Sequence, residues 1–197
     1  MNRFFDLLSV ALYTIFIQNL VFSGGYGASE AVRLAAKPRR SFLFAVSIAY
    51  FSITTSAACR KLDFIPRVFA FNDAVHAAIF VFMLVLIYLL TAIIMRIFFK
   101  TDPKLLSMMG ISALNTLVLA IPFINRRASY SFFESIGTGF GAGIAFILAV
   151  ALMSNGVQKL AKNDEIPNSF KGAPAIFIYV ALLSLAFAGF SGSSLFA

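Results

Sequence analysis

The sequence has 197 residues, of which 60% are hydrophobic and only 12% are charged. Soluble domains average about 45–50% apolar and about 25% charged residues, so this composition excludes a soluble enzyme, a disordered tail and a disulfide-rich secreted domain. The net charge is +8. In so apolar a chain, this excess predicts cationic loops that contact anionic lipid headgroups, and it does not indicate a nucleic-acid partner.

Six stretches approach the roughly 20 apolar residues that a membrane-spanning helix requires. They cover residues 4–22, 42–59, 76–99, 105–124, 132–153 and 174–190. The apolar runs are continuous and do not alternate, which favours helices over a β-barrel. The sequence therefore predicts an all-α integral membrane protein with six transmembrane helices, folded as a single membrane domain over residues 1–197.

The first predicted span ends in a polar and glycine-rich segment. Gln18 and Asn19 precede three glycines within residues 24–27. Glycine has a low helix propensity, so this segment disfavours a continuous helix. Residues 28–36 then form either a second half-helix of a span that is broken inside the membrane, or an ordinary loop. The composition favours neither reading.

The fourth predicted span carries a similar polar group at Asn115 and Thr116. Interruptions at corresponding positions of two halves are typical of inverted-repeat membrane proteins that have a site near the bilayer midplane. We therefore expect a three-plus-three inverted repeat with the first and fourth helices broken, and a polar midplane group of Gln18, Asn19 and Asn115. Its two repeats would be residues 1–100 and 101–197, approximately. Alternatively, Asn115 simply forms a hydrogen bond with a neighbouring helix.

The fifth predicted span begins near a carboxylate and continues through four closely spaced glycines. They form two GxxxG pairs, Gly137 with Gly141 and Gly139 with Gly143, and they predict close helix packing. Glu134 is either an ion-linked carboxylate or an interfacial carboxylate in contact with water.

Single occurrences of cysteine and histidine limit the chemistry of the chain. Cys59 is the one cysteine, which excludes a multi-cysteine metal site within the chain. His76, the one histidine, stands at the start of the third span, where we expect it to be exposed to water. No nucleophile–base pair is recognisable, so we expect no catalytic residues and no metal ligands here.

Loop charges predict the orientation of the chain. The loops after the first, third and fifth spans carry ten Lys and Arg residues, and the opposite side carries six. Because short cytoplasmic loops are enriched in Lys and Arg, both termini are expected outside the cytoplasm.

The most distinctive sequence motifs lie in the C-terminal part of the chain. Residues 165–172 read EIPNSFKG and residues 183–192 read LSLAFAGFSG. They resemble the patterns acidic-V-P-x-x-F-basic-G and M-S-L-A-F-x-G-F-x-G of the Rnf/Nqr membrane subunits, whose fifth helix is similarly rich in glycine. The length and the six spans are most similar to the A-type subunit of Rnf, the counterpart of the E-type subunit of Nqr.

This resemblance implies a specific assembly. In the family, two homologous subunits of opposite topology pair, and each contributes two cysteines from broken helices to one shared [2Fe–2S] cluster. The complex lies in a bacterial-type plasma membrane, contains further membrane subunits, and couples electron transfer to the movement of Na⁺ or H⁺.

The sequence departs from the family at both ligand positions. Ser29 stands where the first cysteine is expected and Thr116 stands where the second is expected. Neutral hydroxyls are poor substitutes for the thiolates that hold iron–sulfur clusters. We therefore expect a membrane subunit of an Rnf/Nqr-like ion-translocating electron-transport complex without a cluster of its own. The alternative is a cluster-free member that acts as a small-solute or ion transporter or as a membrane scaffold.

Overall fold

The structure is a computed structural model that describes residues 3–36, 41–63, 65 and 72–191. Within these residues all regular structure is helical. The helices are α1 (Arg3–Leu12), a π-helix (Tyr13–Ile17), α2 (Leu20–Ser23), α3 (Ala28–Ala35), α4 (Ser41–Asp63), α5 (Asp73–Phe98), α6 (Pro103–Ala113), α7 (Thr116–Arg127), α8 (Phe132–Lys162) and α9 (Ala173–Ser191).

Four segments of the described chain are long and apolar enough to cross a membrane. They are Phe42–Asp63, Asp73–Phe98, Pro103–Arg127 and Phe132–Lys162, and the shorter apolar helix Ala173–Gly189 follows them. The predicted first span is divided among α1, the π-helix and α2, so it does not form one continuous helix. The all-helical membrane fold is confirmed, whereas six spans and an inverted repeat stay predictions.

Side-chain caps fix where the long helices begin. Asn72 accepts a hydrogen bond from the backbone N–H of Val75 at the start of α5. Asp102 caps α6 through its own carboxylate and is followed by Pro103, whose fixed φ suits a first helical position. Each cap satisfies one of the N–H groups that the first turn of a helix leaves without a partner, and so stabilises the helix start.

Helix α8 lies at the centre of the fold and packs against α1, α3 and α4. Its glycines alternate between two neighbours, since Gly137 and Gly141 face α1 while Gly139 and Gly143 face α4. A Cβ atom added at Gly139 would lie 2.8 Å from the backbone of Ile53. The helices therefore approach each other through backbone contact that a larger residue would prevent.

The outer helices contrast with this centre. Only 11% of the apolar window of α5 is buried inside the molecule, compared with 61% for α8. Large side chains such as Phe82, Ile97 and Phe98 are exposed on α5. This is the expected composition of a helix whose outward face does not contact water.

The predicted orientation depends on charges that are only partly described. Lys37, Arg39, Arg40 and Arg67 lie outside the described residues. The placement of both termini outside the cytoplasm therefore stays a prediction.

Candidate functional site

The first break is built around a buried asparagine. The last turn of the first segment widens into the π-helix, and Gln18, which is half-buried, leaves helical geometry with φ −106° and ψ 57°. The side-chain oxygen of Asn19 accepts a hydrogen bond from the N–H of Val21 at 3.1 Å. Its Nδ2 donates to the carbonyls of Ile15 and Ala145, each at 3.3 Å. Asn19 thus starts α2 and ties the break to α8.

The second break repeats this arrangement between α6 and α7. Leu114 leaves helical geometry, and Asn115 has extended backbone angles. The Oδ1 of Asn115 accepts a hydrogen bond from the N–H of Leu117 at 2.9 Å. In both breaks the asparagine therefore caps the following half-helix through the N–H two residues further on, which is a preferred capping geometry.

The first interruption continues past α2 to Gly27, and this glycine-rich end contacts the second break. The backbone N–H of Gly27, the residue before α3, donates a hydrogen bond to Oγ1 of Thr116 at 2.9 Å. Gly27 has φ +73°, and a Cβ atom there would lie 2.7 Å from Oδ1 of Asn115. Glycine is required by both the left-handed backbone and the close approach. Residues 28–36 were predicted to be either a half-helix of a broken span or a loop, and the structure has a short helix, Ala28–Ala35. That this helix belongs to a span broken inside the membrane stays a prediction.

The two hydroxyl positions lie on the exposed side of this contact. Ser29 is in the first turn of α3, two residues after Gly27, and both Ser29 and Thr116 are exposed in the single chain. Thr116 lines a groove of about 330 Å³ together with Tyr26, Phe123 and other residues. Asn19 and Asn115, in contrast, are buried.

These residues do not fit a thiolate-held iron–sulfur cluster. Oγ1 of Thr116 already accepts the N–H of Gly27, and both hydroxyls are neutral oxygen donors, unlike the soft thiolates that bind such clusters. Among the described residues, no group of three or more His, Cys, Asp and Glu is placed to hold a metal ion. The contact between the breaks that the structure shows is the hydrogen bond from Gly27 to Thr116.

Glu134 lies in the capping box of α8. Its carboxylate accepts a hydrogen bond from the N–H of Ser131 at 2.7 Å, and its own N–H donates to the hydroxyl of Ser131 at 3.4 Å. Nearby, partial burial raises the pKa of Tyr130, with smaller contributions from Tyr13 and Glu134. The carboxylate has a structural task at this helix start, and its predicted link to an ion stays a prediction.

His76 contradicts the expectation of a residue exposed to water, because its side chain is fully buried. Its Nε2 lies 3.4 Å from Oδ1 of Asp63 and 2.7 Å from a guanidinium nitrogen of Arg126. That guanidinium nitrogen is also 3.5 Å from Asp63, whose side chain is 3% exposed. The expectation was wrong because position at a helix end does not reveal that the ends of α4, α5 and α7 converge.

The contacts of His76 use both ring nitrogens. A guanidinium group can only donate, so the contact between Arg126 and Nε2 is one in which Nε2 accepts. Nδ1 lies 3.1 Å from the carbonyl of Asn72, which can only accept. The charge of Asp63 is balanced by Arg126, as a buried carboxylate requires.

The fold and its breaks define the class of the protein. Long apolar helices surround two asparagine-capped interruptions, an architecture typical of polytopic membrane proteins with discontinuous helices. The chain belongs to the Rnf-Nqr subunit family of membrane proteins, whose family model matches residues 7–194.

Curated relatives carry names that agree with this family. The chain is 24% identical over 191 residues to the A-type subunit of an ion-translocating oxidoreductase complex from Syntrophotalea carbinolica, covering 95% of this chain and 97% of that protein. It is 24% identical over 195 residues to the A-type subunit of a Na(+)-translocating ferredoxin:NAD(+) oxidoreductase complex from Acetobacterium woodii, covering 96% and 98%.

A third relative matches more closely over a shorter region. It is the A-type subunit of the proton-translocating ferredoxin:NAD(+) oxidoreductase complex from Clostridium ljungdahlii, which is 37% identical over 97 residues. That match covers 47% of this chain and 50% of the relative, so the chain aligns there with about half the length of that protein.

Proposed function

We propose that this chain is a membrane subunit of an Rnf-like ion-translocating electron-transport complex and that it holds no [2Fe–2S] cluster of its own. The observation that supports this proposal best is the hydrogen bond between Gly27 and Thr116. It joins the two breaks at the position where the resemblance implies thiolate ligands, and it uses the oxygen that stands in place of one of those thiolates.

The matching caps support an inverted repeat of two three-helix halves. Asn19 and Asn115 each cap the second part of a broken helix, and each accepts from the N–H two residues further on, at 3.1 and 2.9 Å. A repeat of this kind is expected to cross the membrane six times, with α1 to α2 as the first span and α9 as the last. The buried asparagines would then lie near the midplane.

The exposure of residues at the contact between the breaks supports a partner of similar fold. Ser29 and Thr116 are exposed in the single chain although they border the partly buried contact between the breaks. A homologous subunit of opposite topology would cover this surface, with lipid and further Rnf-like membrane subunits around the pair. The expected location is a bacterial-type plasma membrane, with both termini outside the cytoplasm.

The test is to purify the affinity-tagged chain in mild detergent from its own membranes, together with the proteins that remain bound. Iron, acid-labile sulfide and flavin are then measured, and low-temperature EPR spectra are recorded after reduction with dithionite. The variants are Ser29→Ala and Thr116→Ala. The matched control is Ser9→Ala, which removes an exposed helical hydroxyl that bonds only within its own helix.

We expect flavin-bearing and iron–sulfur-bearing subunits to co-purify, and we expect any [2Fe–2S] signal to be unchanged in all three variants. A signal lost in Ser29→Ala or Thr116→Ala, but retained in Ser9→Ala, would refute the absence of a cluster in this chain. Purification without any redox subunit would refute the assignment to the complex and would leave the transporter or scaffold role.

A further inference from the structure

The buried face of α4 changes character halfway along the helix. Its first half is apolar and includes Phe44, Ala45, Ile48 and Phe51, all at most 1% exposed. Its second half, called here the polar half of α4, consists of Ser52, Thr55, Ser56, Cys59 and Asp63. At about 100° per residue these five positions fall within about 100° of one another, so they share one face of the helix.

Hydroxyls elsewhere in the helices behave differently from those of this half. Thr14, Ser47, Thr54, Thr91 and Thr138 each donate to the carbonyl four residues earlier, which is the usual solution for a helical hydroxyl in an apolar setting. Ser52 and Thr55 are at most 1% exposed, and their hydroxyls find no hydrogen-bond partner among the described residues. They are buried and do not bond back to the helix.

Helices α7 and α8, which pack against α4, carry two more buried oxygens without a hydrogen-bond partner among the described residues. The Nδ2 of Asn125 in α7 donates to the hydroxyl of Ser56, while Oδ1 of Asn125 finds no partner in the described part of the chain. The hydroxyl of Ser135 in α8 also finds no hydrogen-bond partner among the described residues, and Ser135 is fully buried. Ser135 lies one turn before Gly139, which contacts the backbone of Ile53. The unpartnered oxygens therefore lie on three helices that pack against one another.

Buried polar atoms that lack protein partners are characteristically satisfied by bound water. We propose that α4, α7 and α8 enclose a file of water molecules that extends from Asp63 to Ser52 and gives water access to the middle of the membrane span. Eleven residues of helix correspond to about 16 Å, which is about half of the roughly 30 Å hydrocarbon thickness. The inference stands on this geometry and does not depend on the proposed role in the complex.

The charges at the Asp63 end favour water over cations. Arg126 lies 3.5 Å from Asp63 and Arg60 lies 4.0 Å from it, so the carboxylate is already balanced by guanidinium groups. A fixed guanidinium raises the energy of any approaching cation, an excess proton included. Water is neutral and both donates and accepts hydrogen bonds, so it can satisfy the unpartnered oxygens of the polar half.

Cys59 provides a natural probe, because it is the one cysteine of the chain and lies on the polar half. The experiment records the S–H stretching band of the intact protein in lipid by infrared spectroscopy and follows its exchange to S–D after transfer to D₂O. Cys59→Ala assigns the band. The matched control is Ala45→Cys in the Cys59→Ala background, which moves the thiol to the apolar half of the same buried face.

We expect the Cys59 band to exchange at least tenfold faster than the Ala45→Cys band. Thr55→Val is expected to slow exchange at Cys59, whereas Thr54→Val, which removes a hydroxyl bonded to its own helix, leaves the rate unchanged. Equal rates at the two thiol positions, whether both slow or both fast, would overturn the proposal. A Thr55→Val rate equal to that of Thr54→Val would overturn it as well.

Discussion

The close approach of α8 to α4 gives a quantitative prediction for Gly139→Ala. The added Cβ would lie 2.8 Å from both Cα and N of Ile53 and 2.9 Å from the carbonyl carbon of Ser52. These are backbone atoms, so the helices must separate. Overpacking of this kind costs about 1–3 kcal/mol. Replacing glycine by alanine inside a helix gains about 1 kcal/mol, so the net change is a loss of up to about 2 kcal/mol.

Gly189→Ala in α9 isolates the packing effect. No heavy atom lies within 4 Å of a Cβ at this position, so only the helix propensity changes and stability rises by up to about 1 kcal/mol. Because the propensity gain is common to both variants, the difference between them measures the overpacking cost alone, about 1–3 kcal/mol. The assay is equilibrium unfolding in mixed micelles of increasing denaturing-detergent content, monitored by far-UV circular dichroism. Equal stabilities of the two variants would refute the close approach.

Three further predictions use the same unfolding assay. Arg126→Met removes the nearer of the two guanidinium groups that balance the buried Asp63 and should cost up to about 3–5 kcal/mol, whereas the double variant with Asp63→Asn should recover most of this. A single variant as stable as the double would contradict the ion pair. Asn19→Asp should lower the free energy of unfolding by at least about 2 kcal/mol more than Asn115→Asp does. Both variants keep a helix cap, but only Asn19 donates hydrogen bonds to two buried carbonyls. Equal losses in the two variants would show that those hydrogen bonds do not contribute to stability. Thr55→Val would stabilise a dry core by about 1–3 kcal/mol, so the water file predicts no gain, and a clear gain would count against it.

Much of the fold follows from composition and periodicity. Continuous apolar runs predict buried or membrane-spanning helices, and the break in the fourth span is predictable because asparagine both disfavours a helix interior and favours its start. What the sequence leaves undecided is whether residues 28–36 are a loop or a half-helix. The structure resolves this through the contact between Gly27 and Thr116, which local composition does not contain.

The buried ionic cluster was beyond sequence reasoning for a similar reason. Asp63, His76 and Arg126 lie at the ends of three apolar stretches, where interfacial charges are ordinary. Their burial depends on how the helix ends converge, and no local pattern encodes that. The polar half of α4, in contrast, is visible in the sequence. Its five residues recur at helical spacing within a stretch whose mean hydropathy is apolar, and this pattern predicts a polar face on that helix.

The bond between Gly27 and Thr116 has a consequence for biosynthesis. Its two residues are 89 positions apart, and chains are made at about 5–20 residues per second, so the Gly27 amide emerges about 4–18 seconds before its acceptor. In the proposed six-span arrangement, lipid would offer the amide no hydrogen bond during that interval. That arrangement therefore favours a first break that stays within the insertion machinery or near the water interface until α7 arrives.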